Sequence, residues 1–154
     1  MGLEHLLQQK EYSGEGYSPV IDYGGWRVAL LNFHPELLPE NITSFHCHDE
    51  TDEVFVLLQG ECKLYIGEAG PEQQEQQEQQ EHLVAIHCIE MQEGRVYNVR
   101  CGVWHSHTPG NNAKVLIVEN SNTGSSNSRE LVLTQEQRAD LVDFSGAGRN
   151  HHQA

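Results

Sequence analysis

Residues 46–60 read HCHDETDEVFVLLQG. Alternate side chains of a β-strand share one face. His46 and His48 therefore point the same way, roughly 7 Å apart along the strand, and Cys47 points the other way. The polar residues that follow, Asp49 to Asp52, read as a turn. Glu53 then enters a second strand whose apolar run, Val54 to Leu58, stops just short of Gly60. A hairpin at this point returns the Glu53 carboxylate to the two imidazoles. Imidazole and carboxylate donors converging in this way suit a divalent transition metal.

On both sides of this stretch, short apolar runs alternate with turn residues. WRVALLNF (26–33) reads as a strand buried on both faces, because its middle is continuously apolar. CKLYI (62–66), HLVAIHCIEM (82–91), VYNV (96–99), VWHSHT (103–108), AKVLIVEN (113–120) and RELVLT (129–134) read as further strands. The total of eight or nine short strands is the pattern of an all-β sandwich or barrel. GEGYSPVIDYGG (14–25), with four glycines and a proline, reads as a break in regular structure. HPELLPENIT (34–43) reads as a loop leading into the His46 strand. PEQQEQQEQQE (71–81) has no apolar residue to bury and reads as an exposed, mobile loop between strands. Helices are expected only at the ends. Leu3, Leu6 and Leu7 predict one over 3–10, packed on the body. Thr134 and Gln137 form a capping box that opens another over 134–143.

The 154 residues suit a single domain, 1–154, with a barrel core of about 24–120. No run of about 18 apolar residues is present, so no transmembrane helix is expected. The start, MGLEHLLQQK, lacks the basic and apolar regions of a secretory signal. Cys47, Cys62, Cys88 and Cys101 show no CxxC spacing and read as free thiols of a cytoplasmic protein. A net charge of −14, from 9 basic and 23 acidic residues, argues against a nucleic-acid surface. It argues equally against attachment to anionic membranes.

A second constellation lies at 94–107, GRVYNVRCGVWHSH. His105 and His107 alternate on one strand face. Taken together, the two stretches resemble the motifs of the cupin superfamily. The first motif, G-x5-H-x-H-x(3,4)-E-x6-G, is met by His46, His48, Glu53 and Gly60, while its leading glycine is not present. The second, G-x5-P-x-G-x2-H-x3-N, is met by Gly94, Gly102 and His105. Arg100 stands where that motif has proline, and Pro109 where it has asparagine. The resemblance implies a double-stranded β-helix, the cupin jelly-roll barrel. In it, His46, His48, Glu53 and His105 surround one metal: iron, nickel, zinc, manganese, cobalt or copper. It also implies a homodimer, for which the WRVALL strand and the N-terminal helix are the expected contact surfaces.

Other residues are candidates for the pocket. His107 shares the face of His105 and reads as a proton carrier with a pKa near neutral. Arg27 and Arg100 read as anion anchors, although a buried Arg27 would serve a structural glutamate equally well. Tyr97, Tyr23 and Tyr65 offer hydroxyls, and Glu119 ends the last apolar strand. Asp49, Glu50 and Asp52 are expected at the mouth, attracting cations. Cys47 and Cys101 are expected to pack in the core. These residues point to a metal-dependent enzyme on a small polar or carboxylated metabolite, by lyase, hydrolase or oxygenase chemistry. A non-catalytic module that binds a metabolite or sugar is an alternative, as is a sugar or sugar-phosphate isomerase.

Overall fold

The computed structural model describes residues 2–71 and 81–147. The loop read for 71–81 lies almost wholly outside them. Among the described residues, ten strands form two antiparallel sheets of five. The first sheet has the order β1-β2-β9-β4-β7. Its strands are β1 (Tyr17–Tyr23), β2 (Trp26–Asn32), β9 (Lys114–Asn120), β4 (Glu53–Gln59) and β7 (Val96–Val99). The second has the order β10-β3-β8-β5-β6. It contains β10 (Ser128–Val132), β3 (Ser44–His48), β8 (Trp104–Pro109), β5 (Cys62–Ala69) and β6 (Leu83–Glu90). One helix, α1 (Gln135–Ala147), follows.

Strand alternation divides the apolar residues between two cores. Ala29, Leu31, Phe55, Leu57, Val115 and Ile117 turn inward and pack between the sheets. Phe45, Cys47, Tyr65 and Trp104 leave the opposite face of the second sheet, where Leu133 and Leu141 cover them. The second core is what seats α1, and Lys63 Nζ reinforces it by donating to the Phe144 carbonyl at 2.7 Å. The capping box forms as read: the Gln137 N–H donates to Thr134 Oγ1 at 3.2 Å, and the Thr134 N–H to Gln137 Oε1 at 2.9 Å. The helix runs four residues beyond the expected end at 143.

The structure departs from the sequence reading in several places. Residues 14–25 are not a break: they contain β1, which makes the tenth strand. Gly24 and Gly25 are the two-residue turn that pairs Tyr23 with Trp26. Pro19 sits at a register irregularity on an edge strand, where its missing N–H costs no ladder bond. The helix over 3–10 is absent. A single turn closes there through the Leu6 and Leu7 N–H groups on the Leu3 carbonyl. Leu3, Leu6 and Leu7 remain exposed at 63%, 73% and 55%, so no apolar contact offsets the cost of nucleating a helix.

The two surfaces named for dimer contact differ from expectation in part, with Trp26 of the WRVALL strand 46% exposed. The N-terminal helix does not exist, and Ala29, Leu30 and Leu31 of β2 are buried within the chain. Glu53 also does not return by a hairpin. β3 and β4 belong to different sheets, so residues 49–52 turn a corner of the barrel. His48 and Glu53 therefore face each other across the interior. No helix among the described residues is long and apolar enough to cross a membrane.

Candidate metal centre

The centre forms where the two sheets approach. β3 supplies His48, β8 supplies His105, and β4 of the opposite sheet supplies Glu53. Both imidazoles direct Nε2 at the same oxygen: His48 Nε2 and His105 Nε2 each lie 2.8 Å from Glu53 Oε2. The two rings stand edge to face with centroids 5.2 Å apart. Their ligand atoms and that of Glu53 all fall within 4.8 Å of one another. The side chains of His48, Glu53 and His105 are 15%, 7% and 5% exposed.

The other ring nitrogens orient both imidazoles, and for His105 the partner also fixes where a proton sits. His105 Nδ1 is 2.9 Å from the Val103 carbonyl, which can only accept, so Nδ1 carries the proton. His48 Nδ1 is held at 2.7 Å by Ser128 Oγ. Nε2 of His105 faces a carboxylate oxygen 2.8 Å away, and the contact is attractive where Nε2 carries a second ring proton or where the two atoms share a cation. Two acceptors at that distance repel unless a cation or a second proton lies between them. Burial alone would raise the Glu53 carboxyl. Its hydrogen bonds with His105 and His48 outweigh burial and hold it well below the usual carboxylate range. The same contact with Glu53 raises His48 against the opposing effect of burial.

A cavity of about 900 Å³ opens beside this cluster. His46 lines it from the register position directly opposite His105, but its ring stands outside the three-residue cluster. His107 also lines it, 5.5 Å from the Phe55 ring. Its Nδ1 is buried with no hydrogen-bond partner among the described residues. Burial pushes the His107 pKa down to about 4 rather than leaving it near neutral. The ring is therefore uncharged at neutral pH, which removes the reading of a near-neutral proton carrier. Arg27 and Glu119 line the cavity and are paired with each other at 2.8 Å.

Other candidates lie elsewhere. Arg100 is exposed and outside the cavity, because β7 ends one residue before it. Tyr97 packs against the inner core and accepts from the Gln92 N–H at 2.9 Å. Tyr23 is 73% exposed, and Tyr65 is buried with its hydroxyl on Thr108. The expected acidic mouth serves the corner loops instead. Asp49 takes Arg129, Glu50 takes Asn122 and Asn127, and Asp52 takes Asn98 and the Cys101 N–H. None of these three acids lines the cavity. Cys47 is buried as expected, but Cys101 is exposed in the turn before β8. Tyr17 is one of several lining residues that the sequence reading missed, Ser106, Thr123 and Ser128 among them, and it was missed because its strand was not read as one. The Gly-Gly hairpin signal was the clue that could have found it.

No protein-family profile matches the chain, and no curated protein matches it in sequence. Solved structures do match in fold. Pac13 from Streptomyces, described as a nucleoside dehydratase and solved with uridine, aligns with a TM-score of 0.51 at 7% identity. That alignment covers 82% of this chain and 87% of Pac13. A cupin-2 domain protein from Shewanella frigidimarina aligns with a TM-score of 0.46 at 20% identity, covering 70% of this chain and 84% of that one. KdgF from Halomonas sp. aligns with a TM-score of 0.47 at 8% identity, over 71% and 81%. Identities this low speak to the fold alone. Two antiparallel sheets closing on the strands that carry His48, Glu53 and His105 give this chain the cupin fold, a jelly-roll barrel.

Proposed function

We propose that the chain is a metal-binding cupin that acts as a metal-dependent enzyme on a small polar metabolite. The observation that supports this reading most strongly is the meeting of His48 Nε2 and His105 Nε2 at Glu53 Oε2. The Nδ1 proton of His105 is committed to the Val103 carbonyl, which leaves Nε2, converging with the Glu53 carboxylate, as the atom free to ligate a cation in place of a second proton. The donor set of two imidazoles and one carboxylate fits a divalent transition metal. His48, Glu53 and His105 would hold it, and His46, opposite His105 in register, is the fourth donor of the proposed set. Such a metal supplies Lewis acidity toward a substrate oxygen, or a bound water of lowered pKa.

The chain's own groups do the rest. The Val103 carbonyl and Ser128 Oγ fix the two imidazole orientations. Phe55 lies beside the His105 ring, with centroids 6.1 Å apart, and Ile117 gives the cavity an apolar wall. The cavity's volume of about 900 Å³ fits a metabolite-sized ligand. Arg27 has its donors on Glu119 and on the Ser121 and Thr123 carbonyls, so it offers little to a substrate carboxylate. An anionic group of the substrate would be neutralised at the metal.

Metal analysis of protein purified without a chelating resin tests the reading. The wild type is expected to hold close to one equivalent. His105→Ala and Glu53→Gln are expected to lower metal affinity by at least tenfold, about 1.4 kcal/mol. Full metal content in both variants would sink the site assignment.

A further inference from the structure

The cavity has a second polar corner, built on Glu119. β9 lies between β2 and β4. Its register sets Glu119 opposite Arg27 on one side. On the other side, one residue beyond the Val54–Val118 pair, it sets Glu119 beside Glu53. Arg27 donates from Nε and Nη2 to Glu119 Oε1 at 3.2 and 2.8 Å. The Tyr17 hydroxyl donates to the same oxygen at 2.5 Å. One oxygen of the carboxylate thus receives three donors, and no described residue donates to the other, Oε2. The only wholly buried side-chain nitrogen or oxygen without a partner among the described residues is His107 Nδ1. Oε2 therefore opens on the cavity that Glu119 lines.

An arginine in a cavity suggests an anion anchor, yet here the guanidinium is taken up. Its remaining contacts go to the Ser121 and Thr123 carbonyls at 3.2 and 3.0 Å. A ligand arriving at this corner meets a charged acceptor. A carboxylate placed there would be repelled by Glu119, whereas an O–H donor would fill the open lone pairs of Oε2.

We propose that Glu119 Oε2 accepts a hydroxyl of the cavity's ligand, so that this corner selects an uncharged, hydroxyl-bearing small molecule over one presenting a carboxylate there. The proposal rests on the cavity being the ligand site of the function proposed above. Arg27 and Tyr17 act as positioning residues that hold Oε1 and so aim Oε2 at the cavity. Glu119→Gln places an amide where Oε2 accepts and leaves Arg27 without its counter-charge.

The test uses the full chain as purified, with ribose, ribitol and myo-inositol as uncharged probes and malonate as the charged one. Binding is read by saturation-transfer NMR, and circular dichroism checks the fold. At least one polyol is expected to bind the wild type. Glu119→Gln is expected to weaken that polyol at least about tenfold, the value of one charged hydrogen bond, and to strengthen malonate. Glu119→Asp keeps the charge, withdraws it by one methylene, and is expected to show the polyol loss even where the Gln variant fails to fold. Tyr17→Phe removes one of the three donors on Oε1 and is expected to weaken the polyol without strengthening malonate, because the charge of Glu119 stays. Absence of polyol binding to the wild type would overturn the proposal, as would unchanged polyol and malonate binding in a folded Glu119→Gln. Metal content of the same samples separates the two readings. Metal-loaded protein indifferent to Glu119→Gln sinks only this proposal, and metal-free protein that loses the polyol sinks only the metal reading.

Discussion

Arg27 and Glu119 are the most heavily committed charges in the barrel interior, with side chains 17% and 3% exposed. Such a pair contributes little net stability as a whole, because each ion gives up its hydration. Removing one member is a different matter, since it strands the other. Arg27→Met leaves the Glu119 carboxylate buried with only the Tyr17 hydroxyl as a donor. The expected loss is about 3 kcal/mol, seen as a lower urea midpoint with an unchanged slope. Adding Glu119→Gln on top removes the stranded charge and is expected to recover part of that loss. A double variant as unstable as the sum of the singles would show that the two residues do not act as a pair. Tyr17 joins this group because burial, and then Glu119, push its phenol pKa upward. It stays a neutral donor across the physiological range.

At the scale of single elements, the turns that carry the cupin glycines set the register. Gly60 joins β4 to β5 at φ 77°, and a Cβ there would lie 2.9 Å from Ala113 Cα. Gly60→Ala is therefore expected to cost about 2 kcal/mol, from left-handed strain together with that contact. Gly102, at φ 79°, has open space around it and donates its N–H to the His48 carbonyl at 2.8 Å. Gly102→Ala is expected to cost less, about 1 kcal/mol, from strain alone. Thermal unfolding of the two variants side by side measures the difference, and equal losses would show that the contact at Gly60 is relieved without cost.

These glycines were legible because a motif fixes their spacing. His48, Glu53 and His105 were legible for the same reason, and because a two-residue strand period tells which side chains share a face. β1 was not legible: four glycines and a proline hid it, and with it Tyr17. The fate of Arg100 and Tyr97 turned on where β7 ends and which way it faces, which no local pattern states. The three-leucine turn at 3–7 failed in the opposite direction. A helical spacing was present, but no surface was there to receive it.

At the scale of the whole molecule, packing around the two cores controls how stability responds to pH. Cys62 sits in the core between the sheets and Tyr65 in the core beneath α1. Burial pushes the Cys62 thiol pKa up to about 12 and that of the Tyr65 phenol to about 12. In the unfolded chain these groups ionise near their ordinary values, about 8.5 for cysteine and about 10 for tyrosine. Between the unfolded and folded values the native state holds more protons than the unfolded state. The slope of unfolding free energy with pH is therefore negative there. Each group contributes a loss of about 1.4 kcal/mol per pH unit, starting at about pH 8.5 for Cys62 and about pH 10 for Tyr65. The barrel is thus expected to keep its full stability from this source below about pH 8.5 and to lose it progressively above. Cys62→Ala removes the thiol's share, so its stability between about pH 8.5 and 10 is expected to fall less steeply than that of the wild type. Urea unfolding at half-unit pH intervals measures both slopes. Parallel curves for wild type and Cys62→Ala would mean that the thiol ionises in the folded barrel as readily as in the open chain, against its burial at 4% exposure in the inner core.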